Sequence, residues 1–293
     1  MINKGLSRLG YLFLYLISLL PFWLLYLFSD VLYIIIYYVL RYRLNVVREN
    51  LRNSFPEKTD TERKAIEKKY YHYLGDLIVE VVKLFTISEQ QLKKRMLAPN
   101  GEIIEHYFNQ GKSIIGAVGH YGNWEMAGLR LGLYTDKRRV VVYKPLHNTY
   151  FDNAFKRMRS RTGATLVEMK NTVRKMVEYR KELMISVLVS DQTPVRSDVS
   201  YFVPFLNQPT PVFLGIEKLA KMIDCVVVFC DIRRIKRGYY QCSLIPLFED
   251  PKNTTEHEIT NTHVHYLENV IKQEPQYWLW SHRRWKFKPE AAN

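Results

Sequence analysis

Cysteine is scarce in this chain: three residues in 293, Cys225, Cys230 and Cys242. An odd count without Cys-x-x-Cys spacing argues against a disulfide framework and against a zinc site. All three lie in apolar, strand-like runs. They read as buried, reduced core residues, which places the catalytic part in a reducing compartment. Charge is nearly missing from residues 11–40, where Asp30 is the sole charged side chain. Internal repeats, low-complexity tracts and clear linkers are missing too. So is any nucleic-acid-binding motif.

What is present is 47% hydrophobic residues, enough to bury a real core. The formal net charge is +14, from 43 Lys and Arg against 29 Asp and Glu. Such an excess speaks about partners rather than fold. Nucleic acid, an anionic membrane surface and acidic soluble substrates all fit it, and the missing motifs count against the first.

The amino terminus favours the second. "YLFLYLISLLPFWLLYLF" (11–28) leads through Ser29 and Asp30 into "VLYIIIYYVL" (31–40). The run is too long for a signal peptide, and no small-x-small cleavage site follows it. As one straight helix, thirty residues would reach roughly 45 Å, against about 30 Å of hydrocarbon. Asp30 would be costly at mid-membrane. Lys4 and Arg8 flank one end and Arg41, Arg43 and Arg48 the other, so the positive-inside rule wants both flanks cytoplasmic. A broken, re-entrant or surface-lying helical hairpin, bent near Pro21 or near Ser29 and Asp30, satisfies this. A single tilted span is the alternative. Residues 1–40 are therefore read as a membrane-associated helical segment, with anionic headgroups as partners of the basic flanks.

Residues 41–293 read as one α/β domain. Thr59, Asp60 and Thr61 offer caps for a long helix to about residue 85. Short β-rich runs follow: "SIIGAVG" (113–119), "RVVVYK" (139–144), "ATLVEM" (164–169), "LMISVLVS" (183–190), "CVVVFCDI" (225–232) and "YQCSLIPLF" (240–248). Amphipathic segments near 124–133, 149–161, 171–181 and 213–223 separate them, and a helix near 257–273 follows. Near-continuous apolar strands alternating with helices predict a largely parallel central sheet flanked by helices. In such a fold chemistry sits beyond the carboxyl ends of the strands.

His120 stands at such an end, in "HYGNWE" (120–125). On a regular helix, residues five apart lie about 140° from each other. Gly122 permits an unusual backbone angle, and Asn123 is a good N-cap. The expected shape is strand, tight turn, then a helix with Glu125 in its first turn, reaching back to the imidazole. A carboxylate on one ring nitrogen raises the basicity of the other and makes a general base. No serine or cysteine occupies the elbow, so the base would act on a hydroxyl or water brought by the substrate. The bland alternative is a strand-end histidine and a glutamate favoured by the helix dipole. No second His or Cys stands at metal-ligand spacing from His120. His263 and His265, two apart on a predicted helix, read as surface residues.

"HYGNWE" is similar to the His-x4-Asp/Glu signature of glycerolipid acyltransferases, and its form H-x-GNWE resembles the lipid A biosynthesis lauroyl/myristoyl acyltransferases. Four further stretches resemble that family in order: "YKPLHNTYFDNAFKRMRSRTG" (143–163), "SDQTP" (190–194), "YFVPFLNQPTPVFLGIEKLA" (201–220) and "EPQYWLWSHRRWKFK" (274–288). The resemblance runs nearly the length of the chain. It implies transfer of an acyl chain from acyl carrier protein to a hydroxyl of a membrane lipid acceptor, by direct attack, without a cofactor or metal and without nucleic acid. His120, Glu125, Arg159 and Asp191 are then the expected catalytic residues. Asp191 would orient an arginine or the acceptor, and Arg159 would support the developing oxyanion. Asn123, Lys144, Asn148, Arg157, Arg161 and Gln192 are the expected substrate-binding residues. On a helix Arg157 and Arg161 share a face and Arg159 points elsewhere, so only one set can serve the pocket. Lys144 stands where the family often has Arg, which puts bidentate phosphate binding there in doubt.

Basic stretches at Lys137, Arg138 and Arg139, at 156–161, and at Arg283, Arg284 and Lys286 are expected to steer acidic carrier and lipid. The carboxyl-terminal mix of Trp with Arg and Lys reads as an interfacial anchor. The leading expectation is a membrane-associated acyltransferase of lipid A biosynthesis at the bacterial inner membrane, its catalytic domain facing the cytoplasm. The same chemistry on a lysophospholipid or aminolipid is the first alternative. A non-catalytic membrane-binding protein is the second.

Overall fold

The computed structural model describes residues 4–196 and 199–289. The chain opens with α1 (Lys4–Leu19) and α2 (Phe22–Ile34), and α2 runs on through a π-helical turn, Ile35–Val39. The break between α1 and α2 falls at Pro21, whose ring fixes φ and whose missing N–H cannot continue α1. Of the two bends the sequence allowed, this is the one found, because Ser29 and Asp30 lie inside α2.

α3 (Leu44–Ser54) leads into α4 (Asp60–Lys83). α4 starts at a capping box: the Thr59 side chain accepts from the Glu62 N–H, and Glu62 accepts from the Thr59 N–H. α2 lies against α4 at close range. A Cβ on Gly75 would come within 2.9 Å of the Ser29 carbonyl oxygen, so the crossing needs glycine. Buried Ser29 donates to Asp76 at 2.7 Å. Asp30 is half-buried and paired. It pairs with Arg237 at 2.5 Å and with His72 at 3.2 Å. The other side of α1 and α2 is bare and apolar, with Leu9, Phe13, Leu16, Trp23, Leu27 and Val31 all at least half exposed.

The remaining elements build the sheet and its cover. They are α5 (Glu89–Arg95), β1 (Met96–Leu97), α6 (Ile103–Asn109), β2 (Ile114–Val118), α7 (Trp124–Leu131), β3 (Arg138–Tyr143), α8 (Thr149–Ser160), β4 (Thr165–Glu168), α9 (Thr172–Tyr179) and β5 (Met184–Val189). A small antiparallel hairpin, β6 (Phe202–Phe205) and β7 (Gln208–Pro211), comes next, followed by α10 (Gly215–Ile223). The chain ends with β8 (Val226–Lys236), β9 (Tyr239–Phe248), α11 (Glu258–Gln273) and a carboxyl-terminal segment.

Seven strands form one sheet in the order β1-β9-β8-β2-β5-β3-β4. Every pairing is parallel except β8 with β9, a hairpin. β2 is central and buried at every position, as expected of a strand covered on both faces. Cys225 and Cys230 are buried and Cys242 is partly so; none is in a disulfide. One expectation fails on α11. His263 is buried, not on the surface, and burial pushes its pKa down to about 4. His265, two residues on, is exposed.

Candidate active site

Register decides the site. β2 and β5 are adjacent and parallel, with Val118 opposite Val189. His120 and Asp191 each stand two residues beyond that pair, so they meet at the carboxyl end of the sheet, 71 residues apart in the chain. His120 Nδ1 lies 2.6 Å from Asp191 Oδ1, and the His120 backbone N–H donates to Oδ2 at 2.8 Å. The Trp278 indole N–H also donates to Oδ2, at 2.7 Å. Burial alone would raise the Asp191 pKa. The facing imidazole and these hydrogen bonds outweigh it and hold the carboxyl down at about 2. An ionised Asp191 accepts from Nδ1–H, which makes Nε2 the acceptor nitrogen of the ring, able to take a hydrogen bond from the Gln192 amide or from an incoming hydroxyl. The Gln192 amide nitrogen stands 3.1 Å from that Nε2.

Glu125 does not reach back to the imidazole. It turns across to α8, where its carboxylate takes two hydrogen bonds from Arg159, the one from Nε at 2.9 Å. Its place as the partner of His120 is taken by Asp191, which therefore orients the imidazole and not, as expected, an arginine or the acceptor. The turn between them follows the expected chemistry. Gly122 has φ +58°, and the helix starts at Trp124 with Asn123 as its cap. Trp124 sets its ring edge-on to His120 at 4.9 Å between centroids.

Asn123 is fully buried and spent. Oδ1 accepts from Met126 N–H, and Nδ2 donates to Glu80 at 2.8 Å. It is a capping residue with no atom left for substrate. Glu80 also accepts from Tyr240 at 2.8 Å and from Tyr26 at 3.1 Å; its own pKa is raised by burial. A chain of hydrogen bonds thus runs from α2 to the first turn of α7. Tyr73 adds a second tie, donating to the Gly122 carbonyl.

Of the three arginines, only Arg159 faces Glu125. Arg157 is exposed. Arg161 donates to the carbonyls of Leu84 and Ile87, just past the end of α4. Neither faces the site: the Arg157 side chain is in solvent, and Arg161 is held by the carbonyls that follow α4. Asn148 caps α8 through Oδ1 and donates from Nδ2 to Ser7 on α1, so it ties helices together instead of facing the pocket. Lys144 is exposed just after β3.

The carboxyl-terminal segment is not the interfacial anchor its Trp, Arg and Lys suggest, because its first two tryptophans are packed inside. Trp278 and Trp280 are buried, and Trp278 holds the Asp191 carboxylate. Arg284, counted among the steering charges, is also buried. Its Nε and Nη1 have no hydrogen-bond partner among the described residues. Burial lowers its pKa to about 10, with the Asp191 charge opposing. His282 accepts from the Thr193 N–H at 3.1 Å, and burial lowers its pKa to about 4. The one sequence signal for these roles was the conjunction of "SDQTP" with "WLWSHRR", which says nothing of their contact. No group of three or more metal-ligating side chains occurs among the described residues.

Residues 1–287 match the family model described as bacterial lipid A biosynthesis acyltransferase. The chain belongs to that family. Among its relatives is a lipid A biosynthesis acyltransferase of Haemophilus influenzae, 23% identical over 93% of this chain and 85% of the relative. A lipid A biosynthesis lauroyltransferase of Escherichia coli is 23% identical over 98% and 93%. A palmitoleoyltransferase of the same organism is 21% identical over 85% and 81%. In this family member the motif histidine and its carboxylate partner come from two adjacent strands, and the motif glutamate serves an arginine.

Proposed function

We propose that this family member moves a fatty acyl chain from an acyl carrier protein thioester to a hydroxyl of a lipid A precursor, with His120 as general base. The observation that carries this reading is the His120–Asp191 pair, in which one ring nitrogen is held by a buried carboxylate and the other is left to accept a proton. The acceptor hydroxyl gives its proton to His120 Nε2 as its oxygen attacks the thioester carbon. Negative charge builds on the carbonyl oxygen. Arg159 Nη1, which makes no hydrogen bond to Glu125, and the first-turn N–H groups of Trp124 and Glu125 are the donors suited to it. As the tetrahedral species collapses, the imidazolium returns its proton to the leaving thiolate. Asp191 holds the tautomer and balances the transient positive charge. Glu125 fixes the guanidinium of Arg159.

We read residues 1–40 as the membrane-associated segment and 41–293 as the acyltransferase domain. The bare apolar side of α1 and α2 supports this, since exposed patches of that size mark interaction surfaces. Arg8 before the apolar run and Arg41 and Arg43 after it support a cytoplasmic-facing site.

The test is a mass-spectrometric assay of the purified protein. It receives acyl carrier proteins loaded with different chains, and a lipid A precursor beside lysophospholipids and aminolipids. Acylated precursor is the expected product. Acylation of another lipid alone would move the acceptor. No transfer from folded protein would sink the reading.

A further inference from the structure

Where the π-helical turn after α2 ends, the surface opens into a basin of about 450 Å³. Arg41, Arg43, Arg48 and Arg283 line it, together with the first turn of α3, and no acidic side chain does. The four guanidinium groups are not equivalent. Arg48 is neutralised by Glu67, which takes its Nε at 2.9 Å and Nη2 at 3.2 Å. Arg43 spends one N–H on the Ser281 carbonyl at 3.0 Å, and its charge stays unbalanced. Arg41 and Arg283 are exposed, and their guanidinium groups have no hydrogen-bond or ion-pair partner among the described residues. Three uncompensated cations thus surround one concavity. Like charges repel, so such a grouping disfavours the empty state and favours an anion.

Position narrows the anion. The exposed side chains leading to the basin are Ile35, Tyr38, Val39, Leu40 and Tyr42. Tyrosines at the end of an apolar stretch mark the headgroup level of a bilayer. Arg41 and Arg43 follow at once, each with left-handed backbone, φ +48° and +51°, which turns the chain out of α2 and into α3. Arg283 comes from the carboxyl-terminal segment, more than two hundred residues away, so the basin exists only in the folded chain. Guanidinium groups suit phosphate because several N–H donors can meet several oxygens.

We propose that this basin is a binding site for the phosphate of an anionic lipid headgroup, apart from the reacting centre. Seated there, the lipid would fix the depth and tilt of the domain on the bilayer. It would also brace the carboxyl-terminal segment, since Arg43 and Asn50 hold the carbonyls of Ser281, Trp280 and His282. The site rests on the reading of the α1–α2 face as membrane-facing, and the experiment separates the two.

Full-length protein is floated with vesicles of phosphatidylcholine alone or mixed with phosphatidylglycerol. The Arg41→Gln/Arg283→Gln variant is compared with Arg180→Gln/Lys181→Gln, which removes the same charge from an exposed turn after α9. The basin variant should lose roughly tenfold or more of the phosphatidylglycerol-dependent affinity, and the other variant little. Equal losses in the two variants, or none in the first, would overturn the site. Binding to pure phosphatidylcholine reads the apolar face separately. In a second arm, the detergent-solubilised protein is labelled with phenylglyoxal and each arginine is read by peptide mass spectrometry. Short-chain phosphatidylglycerol should protect Arg41 and Arg283, and inorganic phosphate much less. Protection by neither overturns the site even if wild-type protein floats with no vesicle. Equal protection by both overturns the lipid as its source. A basin variant with unchanged flotation but a raised KM for acyl carrier protein would make the basin a protein dock and overturn the proposal.

Discussion

Two carboxylate pairs stand at the carboxyl end of the sheet, and they are built differently. Asp191 is buried, and it meets His120 because two adjacent parallel strands carry both to the same level. Glu125 is partly exposed and meets Arg159 across two helices. The first pair is locked by three hydrogen bonds, counting the His120 N–H and Trp278. The second is a two-point ion pair whose members have long, partly exposed side chains. Strand ends give fixed distances, whereas helix faces leave freedom. The rigid pair suits proton transfer, which tolerates little displacement, and the looser pair suits holding a charge near a substrate.

This contrast can be broken from the rigid side first. His120→Ala should lower turnover by about 10²–10⁴-fold in the mass-spectrometric assay, with fold and vesicle association kept. Activity that survives would remove the general base. Asp191→Asn comes next, with a loss of roughly a hundredfold or more. It also has a pH signature. The folded-state pKa of Asp191 lies near 2, below the ordinary 3.8. Its stabilising effect is therefore full above 3.8 and is lost as pH falls through about 2. Acid unfolding followed by circular dichroism should show that loss in the parent and not in Asp191→Asn.

The helical pair should give a smaller, different result. Arg159→Lys keeps charge but cannot hold Glu125 at two points, so about a tenfold to hundredfold loss is expected. Glu125→Gln should fall in the same range, and the double variant should lose less than the product of the singles. Full additivity would show that the ion pair does not act as a unit. Trp278→Phe removes one donor from an ionised carboxylate, worth about 1.5–3 kcal/mol. It is expected to lower the thermal midpoint and, through Asp191, turnover. At the small end, Arg157→Gln should change activity and stability within about 0.5 kcal/mol, as an exposed residue of α8. A large effect there would put the wrong arginine in the site.

Local pattern predicted local structure well. The six β-rich runs all became strands, with ends shifted by a few residues, because buried strands are written as continuous apolar runs. The helix starts at Thr59 and Asn123 were readable because capping is a contact within four residues. Weak or very short elements escaped: β1 is two residues long, and β6 and β7 contain Pro204, Pro209 and Pro211. Several residues named for the site from motif position alone turned out to hold the fold. Asn123, Asn148 and Arg161 spend their polar atoms on helix ends and neighbouring carbonyls, and no spacing rule separates such a use from a ligand contact.

By itself the sequence determined the six main strands of the sheet, the main amphipathic helices, the apolar amino terminus and the elbow that presents His120. Each depends on residues near one another in the chain. Tertiary structure decided the partners. It gave Asp191 to His120 through strand register, Glu125 to Arg159 across two helices, Trp278 to Asp191, and Asp30 to Arg237. Opposite charges are interchangeable in a sequence. Only the packed backbone sets which of them come within hydrogen-bonding distance, and at that range a few ångströms decide the chemistry.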